Sequence, residues 1–314
     1  MPFPIEEKLV IAIASSALFD LTKSDGVFRR SGEDAYRKYQ RERLDDPLPP
    51  GVALPFIRRL LKLNDLYTKD QPVEVVFLSK NDPDSGRRVY RSANHYELQI
   101  TRGAFLAGKS PHPYIPAFNA SIFLSADRTD VRAAVEQGYP AGVVLPSNAS
   151  DDMNVSELKI AFDFDGVLAD DEAEAVFQKT GDVESFHLAE HKKRDHPHNP
   201  GPLKDLLMKI SKIQKLELSK ARCEKGYKPA LRIAIITARN APSNERVVTT
   251  LNKWGINIDE TFFLGGIEKK HVLGVLRPHI FFDDQLKHLE GTADTIASVH
   301  IPFGIANRSM KGRK

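Results

Sequence analysis

Short apolar runs recur along this chain, and charged stretches with helical spacing lie between most of them. Residues 9–19, 73–78, 122–124 and 143–145 read as strands in the first half. Residues 158–162, 231–236, 261–264 and 279–282 read as strands in the second. Runs that are apolar throughout suit a parallel sheet covered on both faces. Stretches 27–44, 56–66, 85–96, 128–137, 203–218 and 243–254 read as helices, and Asp170-Asp171-Glu172 as the acidic start of another. Turns are expected at Lys23-Ser24-Asp25-Gly26 and Ser79-Lys80-Asn81-Asp82-Pro83. Residues 45–51, with three prolines, and the His- and Pro-rich stretch 187–202 read as loops, 146–154 as a linker, and 307–314 as a basic tail. Strands alternating with helices predict an α/β fold on a parallel sheet.

The pattern runs twice. Val27-Phe28-Arg29-Arg30-Ser31-Gly32-Glu33 resembles Val176-Phe177-Gln178-Lys179-Thr180-Gly181-Asp182, at an offset of 149 (176 − 27). Phe105-Leu106-Ala107-Gly108 resembles Phe263-Leu264-Gly265-Gly266, at an offset of 158 (263 − 105). At that offset Ile122-Phe123 falls opposite Ile280-Phe281, and Ser79, Asn94 and Tyr96 fall opposite Thr237, Asn252 and Trp254. Two duplicated halves are therefore expected, 1–150 and 151–314. The acids do not repeat. Ala14 and Ser16 stand opposite Asp163 and Asp165, and Ser125 and Ala126 opposite Asp283 and Asp284. The first half is expected to keep the architecture and lack the chemistry.

With 314 residues, 41% hydrophobic and 28% charged, the chain has the balance of a soluble protein of two ordinary domains. A net charge of +3 argues for neither nucleic acid nor a membrane surface as partner. Cys223 is the only cysteine, which excludes an intrachain disulfide and suits a reducing compartment. The apolar run 9–19 follows Glu6 and Glu7 and is closed by Asp20, so it reads as a strand rather than a signal peptide, and the protein as cytoplasmic.

Four pieces of the second half converge at strand carboxyl ends: Asp163-Phe164-Asp165, Thr237, Lys269 and Asp283-Asp284. Residues i and i+2 of a strand point the same way, which would aim Asp163 and Asp165 at one spot. Burying such charges is expensive without a partner, and a divalent cation with a phosphate supplies one. Two acidic pairs, a hydroxyl and an ammonium are what phosphoryl transfer through an aspartyl-phosphate requires. Asp163 would be the nucleophile and Asp165 the general acid and base. Thr237 and Lys269 would bind the nonbridging phosphate oxygens. Mg²⁺ fits as the cofactor, with Asp163, Asp284 and the Asp165 backbone carbonyl as ligands and Asp283 in support. His187, His191, His196 and His198 lack a nearby cysteine and lie on a Pro-broken loop, which weighs against a zinc site there. A small helical cap over about 170–230 is expected instead, excluding water from the site.

These four pieces resemble the motifs of the haloacid dehalogenase superfamily. From about residue 8 to 306 the chain resembles the cytosolic 5′-nucleotidase I family. The likeness rests on Ser15-Ser16-Ala17-Leu18-Phe19, Asn94-His95-Tyr96, Phe123-Leu124-Ser125-Ala126-Asp127 and Gly201-Pro202-Leu203-Lys204. It rests further on Thr237-Ala238-Arg239 and on Arg277-Pro278-His279-Ile280-Phe281-Phe282-Asp283-Asp284-Gln285. The resemblance implies a haloacid dehalogenase-like Rossmannoid sheet and Mg²⁺-dependent hydrolysis of nucleoside 5′-monophosphates, AMP favoured. It is compatible with a homo-oligomer. One departure is Asp163-Phe164-Asp165-Gly166, where vertebrate members have Asp-Gly-Asp-Ala; the bulk of Phe164 is expected to alter the pocket mouth. The alternatives are a phosphatase for another small ester, such as a sugar phosphate, and a nucleotide-binding protein without turnover.

Overall fold

The computed structural model describes residues 3–67, 70–149, 151 and 157–307. Residues 150 and 152–154 of the expected linker and 308–314 of the expected tail lie outside the described residues. The chain divides into two compact units, Met1–Pro146 and Ser147–Lys314.

The first unit runs β1 (Leu9–Ile13), α1 (Ser15–Leu18), α2 (Thr22–Glu42), α3 (Leu54–Leu66), β2 (Val73–Ser79), α4 (Pro83–His95), β3 (Arg102–Phe105), β4 (Ile122–Ser125), α5 (Arg128–Glu136) and β5 (Ala141–Val144). Its strands are parallel in the order β3-β2-β1-β4-β5. The second unit runs β6 (Leu158–Phe162), α6 (Glu172–Thr180), α7 (Val183–Lys192), α8 (Lys204–Cys223), β7 (Leu231–Thr237), α9 (Asn244–Lys253), β8 (Glu260–Phe263), α10 (Lys269–Leu276), β9 (Ile280–Asp283), α11 (Leu286–Glu290) and β10 (Ser298–His300). Its strands are parallel in the order β8-β7-β6-β9-β10. Each unit therefore has its first strand in the middle, its second and third on one side and its fourth and fifth on the other. All five residues of β1 are buried, and four of five in β6, as strands covered on both faces must be.

Local joints agree as well. Gly51 N–H donates to the Leu18 carbonyl at 2.9 Å, and Gly201 N–H to the Leu168 carbonyl at 2.8 Å. Antiparallel bridges join Phe19 to Pro50 and Ala169 to Pro200. A non-helical Gly32, at φ 79°, kinks α2 where Gly181, at φ 65°, separates α6 from α7.

Several sequence expectations need correction. The apolar run 9–19 is not one strand. It leaves the sheet after Ile13, and Ala17 and Leu18 donate to the Ala14 carbonyl in a short helix that buries Ala17 and Leu18. The expected turn at residues 23–26 lies inside α2, which begins where Asp20 accepts from the Thr22 backbone at 2.9 Å. The first part of the expected loop 187–202 is helical, because Asp182 caps α7 by accepting from the Glu184 and Ser185 backbone N–H groups. Strands β3 and β10 and helices α10 and α11 are short and carry weak periodicity, and none was expected.

The stretch 170–230 divides in two. The hairpin of α6 and α7 follows the carboxyl end of β6. Helix α8 instead returns the chain to β7, burying Leu206, Leu207, Ile210 and Ile213. The buried Glu217 carboxylate of α8 accepts from the Ala230 and Leu231 N–H groups at 2.9 and 2.8 Å, which fixes where β7 starts. No described helix is long and apolar enough to cross a membrane.

Candidate active site

Strand order reverses between β6 and β9, and the crevice at such a switch point is where open α/β sheets bind ligands. Phe162, the last residue of β6, lies in register with Ile235 of β7 and Phe282 of β9, so β7 and β9 run past it to Thr237 and Asp283. Asp163 follows directly, its N–H still donating to the Phe282 carbonyl at 2.8 Å. Lys269, the first residue of α10, brings its ammonium 2.8 Å from Asp163 Oδ2 and 2.7 Å from Asp283 Oδ2. Asp283 Oδ1 also accepts from the Gln285 backbone at 2.8 Å, and His288 Nδ1 stands 3.2 Å from both its oxygens. Asp284 lies against the Asp165-Gly166 turn. Gly166 has φ +71°, and a Cβ there would fall 2.5 Å from Asp284 Oδ2, so this turn needs glycine.

The electrostatics are lopsided. Burial pushes the Asp163 carboxyl up to about 7, with Lys269 opposing the shift and Asp283 adding to it. Burial pushes Asp284 up to about 9, and the charges of Asp163 and Asp283 drive it the same way. Asp283 is as deeply buried, yet Lys269 and His288 hold it below its ordinary value. Burial disfavours the Lys269 charge, but Asp163 and Asp283 together raise it well above its usual range. Three buried carboxylates thus face one ammonium. Asp284 Oδ1 is buried without a hydrogen-bond partner. An orphaned carboxylate oxygen in a set of hard oxygen donors is what a divalent cation would satisfy. Asp163, Asp283 and His288 each offer a ligand atom within 4.8 Å of the others. Because Asp283 is already held by Lys269, Gln285 and His288, Asp163 and Asp284 are the freer pair.

Asp165 departs from the expected geometry. Regular strand ends at Phe162, so the alternation that would aim Asp163 and Asp165 alike no longer applies. Asp165 turns to Arg239, which donates from Nε at 2.8 Å and Nη2 at 2.7 Å. Its charge still raises both Asp163 and Asp284, so it stays within the same field. Thr237 ends β7, buried, with Oγ1 accepting from the Arg239 N–H at 3.3 Å. Phe164 is fully buried, edge-on to His198 at 5.5 Å and 5.5 Å from the Arg239 guanidinium carbon. It is core beneath the site, which corrects the expectation that it shapes the pocket mouth.

The structure also assembles residues that carried no role in the sequence. Arg239 is ion-paired through Nη1 with Glu190 of α7. Glu190 receives Arg246 Nη1 at 2.8 Å, and Arg246 Nη2 reaches Glu172 of α6 at 2.9 Å. His198 Nε2 lies 3.1 Å from Arg239 and 3.2 Å from Glu190, with Nδ1 3.7 Å from Asp170. Burial would raise Glu190, but His198 and Arg239 hold it down at about 2. The one sequence signal was Arg239 in Thr237-Ala238-Arg239; a lone Glu190 among charged neighbours gave none.

A family model described as 5′-nucleotidase matches residues 1–308. The chain belongs to the 5′-nucleotidase family. Human "Cytosolic 5′-nucleotidase 1B" is 34% identical over 298 residues, which cover 92% of this chain and 48% of that protein. The chain thus spans about half the length of this curated relative. Both findings bear out the likeness to the cytosolic 5′-nucleotidase I family read from the motifs. Among solved structures, "Structure of the Pnkp1/Rnl/Hen1 RNA repair complex" matches at TM-score 0.32 and 12% identity, covering 95% of this chain and 96% of that one. "Crystal Structure of Histidinol Dehydrogenase from Elizabethkingia anophelis" matches at TM-score 0.23 and 9% identity, covering 93% of this chain and 52% of that one. Likenesses this weak carry no argument about this member of the 5′-nucleotidase family.

Proposed function

We propose that this protein is a cytosolic, Mg²⁺-dependent 5′-nucleotidase of haloacid dehalogenase type that hydrolyses nucleoside 5′-monophosphates, AMP favoured. The observation that carries the chemistry is the Asp163–Lys269–Asp283 contact beside the orphaned Asp284 oxygen, all at one switch point. The substrate class rests on the family match and on the relative's name.

Asp163 Oδ attacks phosphorus as the P–O5′ bond breaks, which leaves an aspartyl-phosphate. Asp165 gives its proton to the departing 5′ oxygen. It then takes one from the water that attacks phosphorus and frees Asp163 as phosphate leaves. Lys269 neutralises nonbridging oxygen charge and keeps Asp163 oriented through its second bond to Asp283. The Thr237 hydroxyl, at the neighbouring strand end, donates to the same phosphoryl group. Asp163, Asp284 and the Asp165 carbonyl would hold Mg²⁺, with Asp283 in support; when bound it offsets the excess negative charge of carboxylates and phosphate. The α6–α7 hairpin serves as the cap that limits water.

Equal strand order, equal joints and the repeated sequence offsets support a duplication in which residues 1–150 are a non-catalytic half and 151–314 the catalytic one. The deciding experiment is phosphate release from a panel of nucleoside monophosphates and sugar phosphates, with Mg²⁺ and with chelator. Release from AMP that stops in chelator and returns with Mg²⁺ is the expected result. Release only from sugar phosphates would refute the substrate class, and full activity in chelator would refute the metal.

A further inference from the structure

We propose that Arg239, anchored by Glu190 of the α6–α7 hairpin, is the positioning residue for the proton-transferring carboxylate of Asp165. This inference rests on the nucleotidase reading above.

The geometry is specific. Arg239 donates two bonds from one edge of its guanidinium, Nε and Nη2, to the two oxygens of Asp165. Such a fork fixes the plane of a carboxylate as well as its place. Each Asp165 oxygen keeps a second lone pair for the leaving oxygen or the attacking water. The outer nitrogen Nη1 pairs with Glu190 and also donates to the Ser243 carbonyl at 3.3 Å. Arg239 is 3% exposed, so its charge is held by these partners rather than by water. Nothing in the fold alone requires an ion pair there.

The first unit supplies the control. Its Arg88 donates from Nη1 to Gln40 Oε1 at 3.0 Å and from Nε to the Asp46 carbonyl at 2.9 Å. Arg246 does the same to Glu190 Oε1 at 2.8 Å and the His196 carbonyl at 3.0 Å. Leu48 N–H donates to Ser92 Oγ as His198 N–H donates to Thr250 Oγ1. Asn81 N–H donates to Ser79 Oγ as Arg239 N–H donates to Thr237 Oγ1. These bonds pair the positions of the two units without reference to charge. Across the pairing, Arg246 keeps its arginine as Arg88, so it belongs to the frame. Asp165, Arg239, Glu190 and His198 become Ser16, Asn81, Gln40 and Leu48. The four are absent together in the half that lacks the acids. A set that vanishes with the carboxylate it holds is tied to that carboxylate's work. Because Glu190 belongs to α7, the state of the hairpin reaches Asp165 through a single side chain.

A double-mutant cycle with Asp165 tests this, read as single-turnover nucleoside release from AMP with enzyme in excess. Arg239→Ala should slow release about 100-fold, within the range of lost acid–base catalysis, with little change in the AMP concentration for half-saturation. Glu190→Gln, nearly isosteric, should slow it about tenfold. In an Asp165→Asn background either change should cost less than about threefold, since residues that act as a unit are not additive. Arg239→Lys, with one donor edge lost, should recover only part of the rate. If Arg239→Ala fails to fold, Glu190→Gln closes the cycle alone. Losses that multiply in the Asp165→Asn background would overturn the proposal, as would folded Arg239 and Glu190 variants at wild-type rate. Those results leave the nucleotidase reading standing. A wild-type protein that releases no nucleoside from AMP removes both.

Discussion

The carboxyl ends of β1, β2 and β4 and those of β6, β7 and β9 are built on the same strand order and filled differently around their first strands. In the first unit Ser15 Oγ and Ser79 Oγ lie 2.9 Å apart, Asn81 Nδ2 donates to Ser15 Oγ at 3.1 Å, and Tyr36 OH donates to Asn81 Oδ1 at 3.4 Å. These neutral groups satisfy one another. In the second unit Asp163, Asp283 and Asp284 crowd one ammonium and leave a buried carboxylate oxygen without a partner. A frame that can be closed quietly with hydroxyls is here left charged, and unpaired burial of charge costs several kcal/mol. The difference is what the proposed chemistry predicts, since stability is given up where charge is left unpaired.

Asp163→Asn is expected to have the largest effect. An amide of the same shape is a poor nucleophile, so phosphate release should fall by about three orders of magnitude or more. The melting temperature should hold or rise, because one of three mutually repelling carboxylates is gone. A folded variant within tenfold of wild type would refute the nucleophile. The reverse exchange sharpens the comparison. Ala14 is buried and occupies the position of Asp163. Ala14→Asp should destabilise by about 3 kcal/mol or more in denaturant titration and add no turnover. Wild-type stability would mean that the first unit tolerates the charge it was argued to exclude.

The two ends should also part on pH. Asp163 and Asp284 have folded-state values near 7 and 9 against an unfolded value of 3.8, so the folded chain binds their protons more tightly. Their contribution is full below the unfolded value and is lost as pH rises through 7 and 9. Without divalent cation, stability should therefore fall from pH 5 to 9, by up to about 1.4 kcal/mol per pH unit for each proton. Glu190, held at about 2, acts only below its unfolded value of 4.5, outside this window. Saturating Mg²⁺ should flatten the slope, and Asp284→Asn should reduce it in chelator to the part that Asp163 contributes. A slope identical in all three would place the titrating groups elsewhere.

Much of this frame was legible in the sequence, for identifiable reasons. Strands such as residues 158–162 and 231–236 are apolar runs whose burial on both faces leaves little choice of conformation. Thr237 and Asp283 are the last residues of such runs, and Lys269 opens the helix after β8, so each falls near a strand's carboxyl end. Asp165 was misread because alternation holds only within a strand, and the turn at Gly166 takes over after Phe162. Glu190, His198 and Arg246 were illegible because their contacts span 8 to 74 residues and carry no spacing rule. The residues 9–19 misled through composition, since a helical turn that buries Ala17 and Leu18 reads like more strand.

The smallest effect tests whether the first unit's polar set is structural alone. Ser79 Oγ is shared by Ser15 Oγ and the Asn81 N–H, and it is buried. Ser79→Ala removes a hydrogen-bond partner from both. Ser15 keeps its bond from Asn81 Nδ2, so only the Asn81 N–H loses a partner outright. Leaving one part-buried donor unsatisfied costs about 1 kcal/mol, which should appear as a lower denaturation midpoint at unchanged slope. Turnover should stay within twofold of wild type, because Ser79 bonds to Ser15 and the Asn81 N–H and is none of Asp163, Asp165, Thr237, Lys269, Asp283 or Asp284. At the matching position, Thr237→Ala should cost a similar amount of stability and about 100-fold in turnover, the scale of one lost oxyanion donor. Equal kinetic losses in the two variants would erase the distinction between a frame and a site. Equal stability losses with unequal kinetics would show that the same hydroxyl serves the frame in one unit and the phosphoryl group in the other.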